Sequence, residues 1–182
     1  MHYIKNSEQL VGYKVRIWTR EAFRVAGYTR IIPPGLKANA VIPQFWDEVA
    51  ADGRLERLMR ASSVPTPVLG LGSWDTECRK GGQRYTVCIE ETEHTDFLPL
   101  TRDLELFTKQ IGASDWMCFE TTFGEYIARF WKDNPYRMMG QLGYQFHDAE
   151  DFSLGLHFEV YAPGFDGNTN QALEFWISVT KR

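Results

Sequence analysis

The sequence predicts an α+β fold made of two similar halves, and two observations lead to this prediction. Alternating apolar and polar stretches, typical of half-buried strands, occur in pairs on either side of a stretch with helical periodicity. This β-β-α-β-β order occurs twice, at about 13–92 and about 104–180. We therefore predict one domain over residues 1–182, with duplicated halves about a pseudo-twofold axis. Its antiparallel sheet would carry helices on one face and a ligand cleft on the other.

The first half contains four strand-like stretches around one helical stretch. From Val41 to Met59, apolar residues recur at three- and four-residue steps, which predicts an amphipathic helix. Gly53 weakens this helix and predicts a bend. The strand-like stretches are YKVRIWTR (13–20), AFRVAGYTRI (22–31), PVLGLGSW (67–74) and QRYTVCIEE (83–91).

The second half repeats this arrangement. GEYIARFWKDNPYRMMGQLG (124–143) is mostly helical in pattern, and Pro135 predicts an interruption. The strand-like stretches are LELFTKQI (104–111), DWMCFETT (115–122), FSLGLHFEVYA (152–162) and ALEFWISVT (172–180).

Composition argues against several classes of function. The net charge is −4 with no cluster of basic residues, so no nucleic-acid surface is expected. No apolar stretch is long enough to span a membrane, and no signal peptide is evident, which predicts a cytoplasmic protein. Residues 1–12 are too few for a helix-turn-helix, so no DNA-binding domain is expected.

The sequence predicts neither a metal nor a cofactor. Cys78, Cys88 and Cys118 are widely spaced and form no C-x-x-C pair, which is typical of reduced cysteines. The acidic stretch EETEHTD (90–96) follows a strand and is interpreted as a solvated turn. GLG at 70–72 lacks the following helix that a phosphate-binding loop needs.

The stretch GLHFEVYAPG (155–164) places a glutamate, Glu159, inside a predicted strand. Successive side chains of a strand point to opposite faces. We expect the apolar set to pack on the helices and the set containing Glu159 to lie on the uncovered face. The first set is Leu156, Phe158 and Val160, and the second is His157, Glu159 and Tyr161.

Trp18 and Trp176 also lie on the polar sides of their strands. Aromatic rings attract cations, and a partly buried carboxylate is stabilised by a counter-charge. Glu159 is therefore a candidate anchor for a cationic ligand. From spacing alone, a solvated strand face with one glutamate remains the alternative interpretation.

Beyond these patterns, the chain resembles the GyrI-like, or AraC-type effector-binding, domain family from about Tyr13 to Val179. The resemblance implies a stand-alone effector-binding domain of two SHS2-like modules about a pseudo-twofold axis. It is carried by AFRVAGYTR, QFWDEV, LGLGSW, QRYTVCIEE, WMCFETTFGEY, LGYQF, FEVY and EFWISV, in that order.

The resemblance also implies the site. Glu159 would contact bound aromatic cations in a central cleft, with Tyr161 as its aromatic partner. The family often has a Trp-x-Pro element where this chain has YRMMGQLGY, so Met138 and Met139 could form a soft edge of the pocket. Weaker candidates for the lining are Trp18, Tyr28, Trp74, Tyr85, Phe119 and Trp176, and His157 shares the face of Glu159.

The resemblance leaves three functions open. The leading hypothesis is binding or sequestration of small aromatic cations. A second is hydrolysis of reactive small-molecule toxins, with Glu159 as general base and Tyr161 or His157 orienting water or the leaving group. A third is inhibition of a topoisomerase-like protein partner. Turnover of a reactive substrate would distinguish the second hypothesis from reversible binding.

Overall fold

A computed structural model describes the chain at residues 1–74, 78, 82–98, 100, 106–147 and 155–182. Ten strands form one antiparallel sheet, which confirms the predicted α+β class. The strands are β1 (His2–Tyr3), β2 (Lys14–Arg20), β3 (Phe23–Ile32), β4 (Val68–Ser73), β5 (Gln83–Glu90), β6 (Leu106–Ile111), β7 (Ser114–Thr122), β8 (Tyr144–Phe146), β9 (His157–Tyr161) and β10 (Ala172–Lys181).

The helical stretches are interrupted where the sequence predicts. Gly53 adopts φ +80° between two helices of the first half, and Asn134 (φ 62°, ψ 91°) precedes Pro135 in the second. Glycine adopts this left-handed backbone without the steric cost of a Cβ. The helices are α1 (Ser7–Val11), α2 (Ala38–Ala51), α3 (Arg54–Arg60), α4 (Phe123–Glu125), α5 (Trp131–Asp133) and α6 (Pro135–Gln141), with a π-helical turn at Tyr126–Phe130.

The strand order is β1-β2-β7-β10-β9-β4-β5-β3-β6, with β8 added beside β10. Strands β4 and β9, one from each predicted half, pair at the centre of the sheet. If β2, β3, β4 and β5 are exchanged with β6, β7, β9 and β10, the order of these eight strands is reversed, which is the same order read from the other edge of the sheet. The pseudo-twofold symmetry of the two halves stays a prediction, and residues 75–77, 79–81, 104–105 and 148–154 of the two predicted halves lie outside the described residues.

Short connections curl the sheet. Strands β2 and β3 are far apart in the sheet order, yet only Glu21 and Ala22 join them in sequence. The Phe23 ring consequently lies 6.2 Å from Trp116 and 5.8 Å from Phe158, on distant strands. The resulting concave face is filled by an apolar core. The side chains of this core include Val25, Leu69, Leu71, Cys88, Ile111, Cys118, Leu156 and Val160.

The helices cover the other face in two groups. Helices α2 and α3 pack Phe45, Val49 and Leu58 over one half of this face. The π-helical turn and α6 pack Tyr126, Phe130, Met138 and Met139 over the other half of the same face. Within the described part of the chain, no helix is long and apolar enough to cross a membrane.

Candidate ligand-binding site

Glu159 lies on the face of the sheet that carries the helices. It pairs directly with Phe175 on β10, and residues paired directly across strands share a face. Phe175 belongs to the core beneath the π-helical turn. The expected position of Glu159 on a helix-free face is therefore wrong. Alternation within β9 is as predicted, but the pairing register with β10 assigns the face, and register depends on tertiary contacts.

The carboxylate of Glu159 accepts hydrogen bonds from three tyrosines. Tyr85 and Tyr161 donate their hydroxyls to Oε2 at 2.6 and 2.7 Å, and Tyr126 donates to Oε1 at 2.5 Å. Only 3% of Glu159 is exposed to solvent. The alternative interpretation, a solvated strand face, does not describe this residue.

Three separate elements bring these tyrosines together. Tyr161 follows Glu159 by two residues on β9 and so shares its face. Tyr126 begins the π-helical turn, and Tyr85 extends from β5 across β4. Gly70 of β4 leaves the space for this contact, since a Cβ there would lie 2.1 Å from the Tyr85 hydroxyl. The first glycine of the LGLGSW motif, Gly70, is therefore explained by the room that the Tyr85 hydroxyl needs.

Burial dominates the electrostatics of this cluster. Desolvation raises the pKa of Glu159, and the three tyrosine hydrogen bonds oppose that rise. Desolvation, followed by the nearby Glu159 charge, raises the pKa values of Tyr85, Tyr126 and Tyr161, so the hydroxyls remain donors. In the described ranges, no lysine or arginine forms an ion pair with Glu159. Among the described residues, the carboxylate is therefore solvated by hydroxyls and has no counter-charge.

The site includes Tyr126 and Trp46, which the sequence did not identify. The Trp46 indole donates to the Tyr85 hydroxyl at 2.9 Å, and its ring centroid lies 5.1 Å from that of Tyr161. Both residues occur in motifs that carry the family resemblance, QFWDEV and WMCFETTFGEY. Their position in these motifs was the sequence feature that could have identified them as site residues. It does not show that they lie beside Glu159.

His157 and Trp74 lie beside this cluster on the same face. His157 is 4% exposed, and Tyr136 places its hydroxyl 3.1 Å from Nδ1. Burial lowers the pKa of His157 to about 4, so the imidazole is neutral near pH 7. Ring centroids of Phe175, Trp74 and Trp131 surround it at 5.0, 5.6 and 5.9 Å.

Trp18 and Trp176 lie on the opposite, concave face, so their assignment to the Glu159 cleft is wrong. Their rings are 4.9 Å apart, and the Arg20 guanidinium lies 5.3 and 5.7 Å from them. Arg20 also lies 3.8 Å above Phe23 and forms an ion pair with Glu90. The cation chemistry expected of these tryptophans is thus provided by the chain's own arginine.

Tyr28 and Phe119 share the helix-covered face but not the site. Phe119 lies two strands from β9, between the rings of Tyr13 and Phe130. Tyr28 lies three strands away on the other side, within 5.3 Å of the Arg54 guanidinium. Both contribute to the cores that flank the site and are not in its immediate lining.

Two surface cavities lie away from Glu159. One of about 620 Å³ is lined by residues of α2, α3 and the following loop, including Leu55, Glu56 and Met59. The other, of about 270 Å³, is lined by residues including Arg129 and Met138. Glu159 lies beneath side chains, so a ligand reaches it only if some of these side chains move.

The chain is thus an α+β domain whose curled antiparallel sheet holds a buried carboxylate under aromatic rings. The chain belongs to the GyrI-like small molecule binding domain family, whose model matches residues 13–180. This match confirms the resemblance inferred from the sequence motifs.

Solved structures with the same fold are distant in sequence. The structure of SAV2435 bound to tetraphenylphosphonium is 14% identical to this chain with a TM-score of 0.69. The alignment covers 99% of this chain and 94% of the SAV2435 chain. A putative transcription regulation protein from Staphylococcus aureus MU50 is 17% identical with a TM-score of 0.65, at coverages of 93% and 99%. EcmrR, in a complex with DNA, is 12% identical with a TM-score of 0.58, at coverages of 98% and 61%. No curated protein matches the sequence.

Proposed function

We propose that this chain binds hydrophobic aromatic cations and that Glu159 supplies the counter-charge. One observation carries the proposal: a buried carboxylate is held by three neutral hydroxyl donors and faces no cation in the described chain. Buried charges in proteins are normally paired, because desolvation of an isolated charge is costly. A cationic ligand would complete this arrangement.

Charge would be the main basis of selectivity. A unit cation about 4 Å from the carboxylate would interact with it by roughly 4 kcal/mol at an effective dielectric constant of about 20. Contact of the cation with desolvated aromatic faces would add about 2 kcal/mol. A neutral ligand of the same shape obtains neither contribution.

The lining favours delocalised cations over small hydrated ones. The rings of Trp46, Tyr126 and Tyr161 surround the carboxylate, and their hydroxyl and indole donors are already used within the protein. A compact ammonium or metal ion would lose its water here without enough acceptors to replace it. The similar structure of SAV2435 holds tetraphenylphosphonium, a large apolar cation, which supports the proposal.

A titration with three phenyl-substituted compounds of different charge tests this function. Tetraphenylphosphonium, neutral triphenylphosphine oxide and anionic tetraphenylborate would be added separately while tryptophan fluorescence and calorimetric heat are recorded. We expect saturable binding of the cation and much weaker binding of the other two. Glu159→Gln should weaken cation binding at least tenfold (about 1.4 kcal/mol), since it removes the charge and retains the shape.

Glu56→Gln is the matched control. Glu56 lines the larger surface cavity, and 65% of its side chain is exposed. The proposal requires that this variant bind tetraphenylphosphonium like the parent protein. Weakening by Glu56→Gln with no effect of Glu159→Gln would instead locate binding at the surface cavity.

A further inference from the structure

Glu159, His157 and Tyr161 are the three polar side chains that β9 directs beneath the helices. They are alternate residues of one strand, so they share a face. Gly70 lies directly opposite Glu159 on β4, and Gly72 lies directly opposite His157. At the centre of the sheet, the floor beneath the rings therefore consists of one carboxylate, one imidazole and two positions without side chains.

Among the described residues, one ring nitrogen of the His157 imidazole has no hydrogen-bond partner. Tyr136 contacts Nδ1, whereas Nε2 makes no hydrogen bond to the described chain. The imidazole ring lies directly over Gly72, where a Cβ would fall 2.2 Å from Nε2, so glycine at this position leaves the room that the ring occupies. Although only 4% of His157 is exposed, Nε2 is not one of the fully buried polar atoms that lack a partner, so this nitrogen is open to contact by a ligand.

The aromatic groups around Glu159 and His157 are continuous. The ring of Tyr126, which contacts Glu159, lies 6.0 Å from Trp131. Trp131 in turn lies 5.2 Å from Phe175 and 5.9 Å from His157. An elongated aromatic ligand that displaces some of these rings could therefore contact the carboxylate at one end and the imidazole at the other.

We propose that His157 is a second anchor of the ligand site, and this inference rests on the proposed function of Glu159. The ligands favoured by this arrangement are aromatic cations that carry a neutral hydrogen-bonding group about 7 Å from the charge, which is the rise of two residues along a strand. Amides, hydroxyls and ring nitrogens belong to this class. The neutral imidazole offers one donor or one acceptor, so a second positive charge at this end gains no ion pair.

Two isosteric cations test the inference. In 1-(4-carbamoylbenzyl)pyridinium, an amide lies at the required separation from the charge and offers both a donor and an acceptor. In 1-(4-isopropylbenzyl)pyridinium, an apolar group of the same shape replaces it. Affinities of both compounds would be measured by calorimetry with the parent protein, His157→Phe, His157→Gln and Glu159→Gln.

We expect His157→Phe to weaken the amide compound about fivefold (about 1 kcal/mol) and to leave the isopropyl compound within twofold. Phenylalanine retains the ring packing and removes the nitrogen. His157→Gln should recover part of the amide preference, because its side-chain amide can occupy a position close to Nε2. A merely structural role for His157 would change both compounds alike.

The two proposals fail separately. If Glu159→Gln leaves both cations bound as tightly as in the parent protein, the proposed function itself is wrong. If Glu159→Gln weakens both and His157→Phe shows no selective loss of the amide compound, only the second anchor is overturned. Should His157→Phe not fold, Tyr136→Phe removes the hydroxyl that orients Nδ1, and the same selective loss is then required of that variant.

Discussion

At the scale of the residue, Glu159 combines burial with an unusual set of partners. Its carboxylate is held by three hydroxyl groups and by no cation of the described chain. Each hydroxyl stabilises the ionised form, while desolvation favours the protonated form. The balance between these effects sets the charge that a ligand meets, so the tyrosines influence binding without needing to contact the ligand.

Removing one hydroxyl should be measurable in stability. We expect Tyr85→Phe, Tyr126→Phe or Tyr161→Phe to lower the free energy of unfolding near pH 7 by about 1–3 kcal/mol, because the buried carboxylate loses a donor. Each change should also raise the pKa of Glu159 further. Urea unfolding measures the first effect. Tyr144→Phe is the control: the Tyr144 hydroxyl has no hydrogen bond to the described residues, so a change beyond about 0.5 kcal/mol would contradict the reasoning.

His157 predicts a pH dependence of stability. Burial lowers its pKa to about 4 from an ordinary value of 6.5. As the pH falls below 6.5, the unfolded chain takes up a proton that the folded chain refuses, so stability decreases until the pH reaches about 4. The slope for one group is at most about 1.36 kcal/mol per pH unit. Glu159 acts in the opposite direction, because its raised pKa lets the folded state take up a proton first as pH falls.

Urea midpoints between pH 7 and pH 4.5 measure this dependence. We expect His157→Gln to reduce the loss of stability on acidification relative to the parent protein. His94→Gln, at an exposed position, is the control for replacing a histidine as such. Identical profiles for the parent and His157→Gln would show that His157 is accessible to protons in the folded state.

At the scale of the element, β4 shows what local pattern can and cannot predict. The stretch PVLGLGSW was predicted to be a strand, and β4 spans Val68–Ser73 within it. The reason for its glycines is found across the sheet, where Tyr85, Glu159 and His157 occupy the space that side chains would fill. The short elements α1 and β8 had no clear periodicity in the sequence, and neither was predicted.

Gly70→Ala tests the role of β4. The new Cβ would lie 2.1 Å from the Tyr85 hydroxyl and 2.7 Å from Oε2 of Glu159, so the tyrosine must move away from the carboxylate. We expect a loss of about 1–3 kcal/mol in unfolding free energy, as for other overpacked sites. Gly140→Ala in α6 is the control, since its closest contact is the flexible end of Arg182 at 3.3 Å. Thermal unfolding would measure both variants. An equal loss of stability in the two would show that the space beside Gly70 does not determine the effect.

At the scale of the whole molecule, the curled sheet makes both faces of the strands buried. Arg20 contributes to this closure, because it pairs with Glu90 on β5, which is far from β2 in the sheet order. The guanidinium also covers Phe23, Trp18 and Trp176. Polar and aromatic residues on the concave face are therefore compatible with burial, which a single flat sheet would not allow.

Arg20→Ala should destabilise the folded protein by about 1–3 kcal/mol, because it removes a partly buried charge partner and the cover of three rings. Arg24→Ala, which removes an exposed ion pair with Glu91, should cost less than about 1 kcal/mol. Thermal unfolding and tryptophan emission would measure the two effects. Equal destabilisation by both variants would show that the contacts of Arg20 with the three rings contribute no stability beyond that of a surface ion pair.

The sequence by itself determined the fold class, the breaks at Gly53 and before Pro135, the family, and Glu159 as the residue of interest. These depend on local periodicity, backbone restrictions and motif order, which are written along the chain. Tertiary structure decided which face Glu159 occupies, that Tyr126 and Trp46 join Tyr85 and Tyr161 around it, and that Trp18 and Trp176 do not. The physical reason is that strand register and the curling of the sheet bring together residues far apart in sequence, and a shift of one residue in register reverses the face of every side chain.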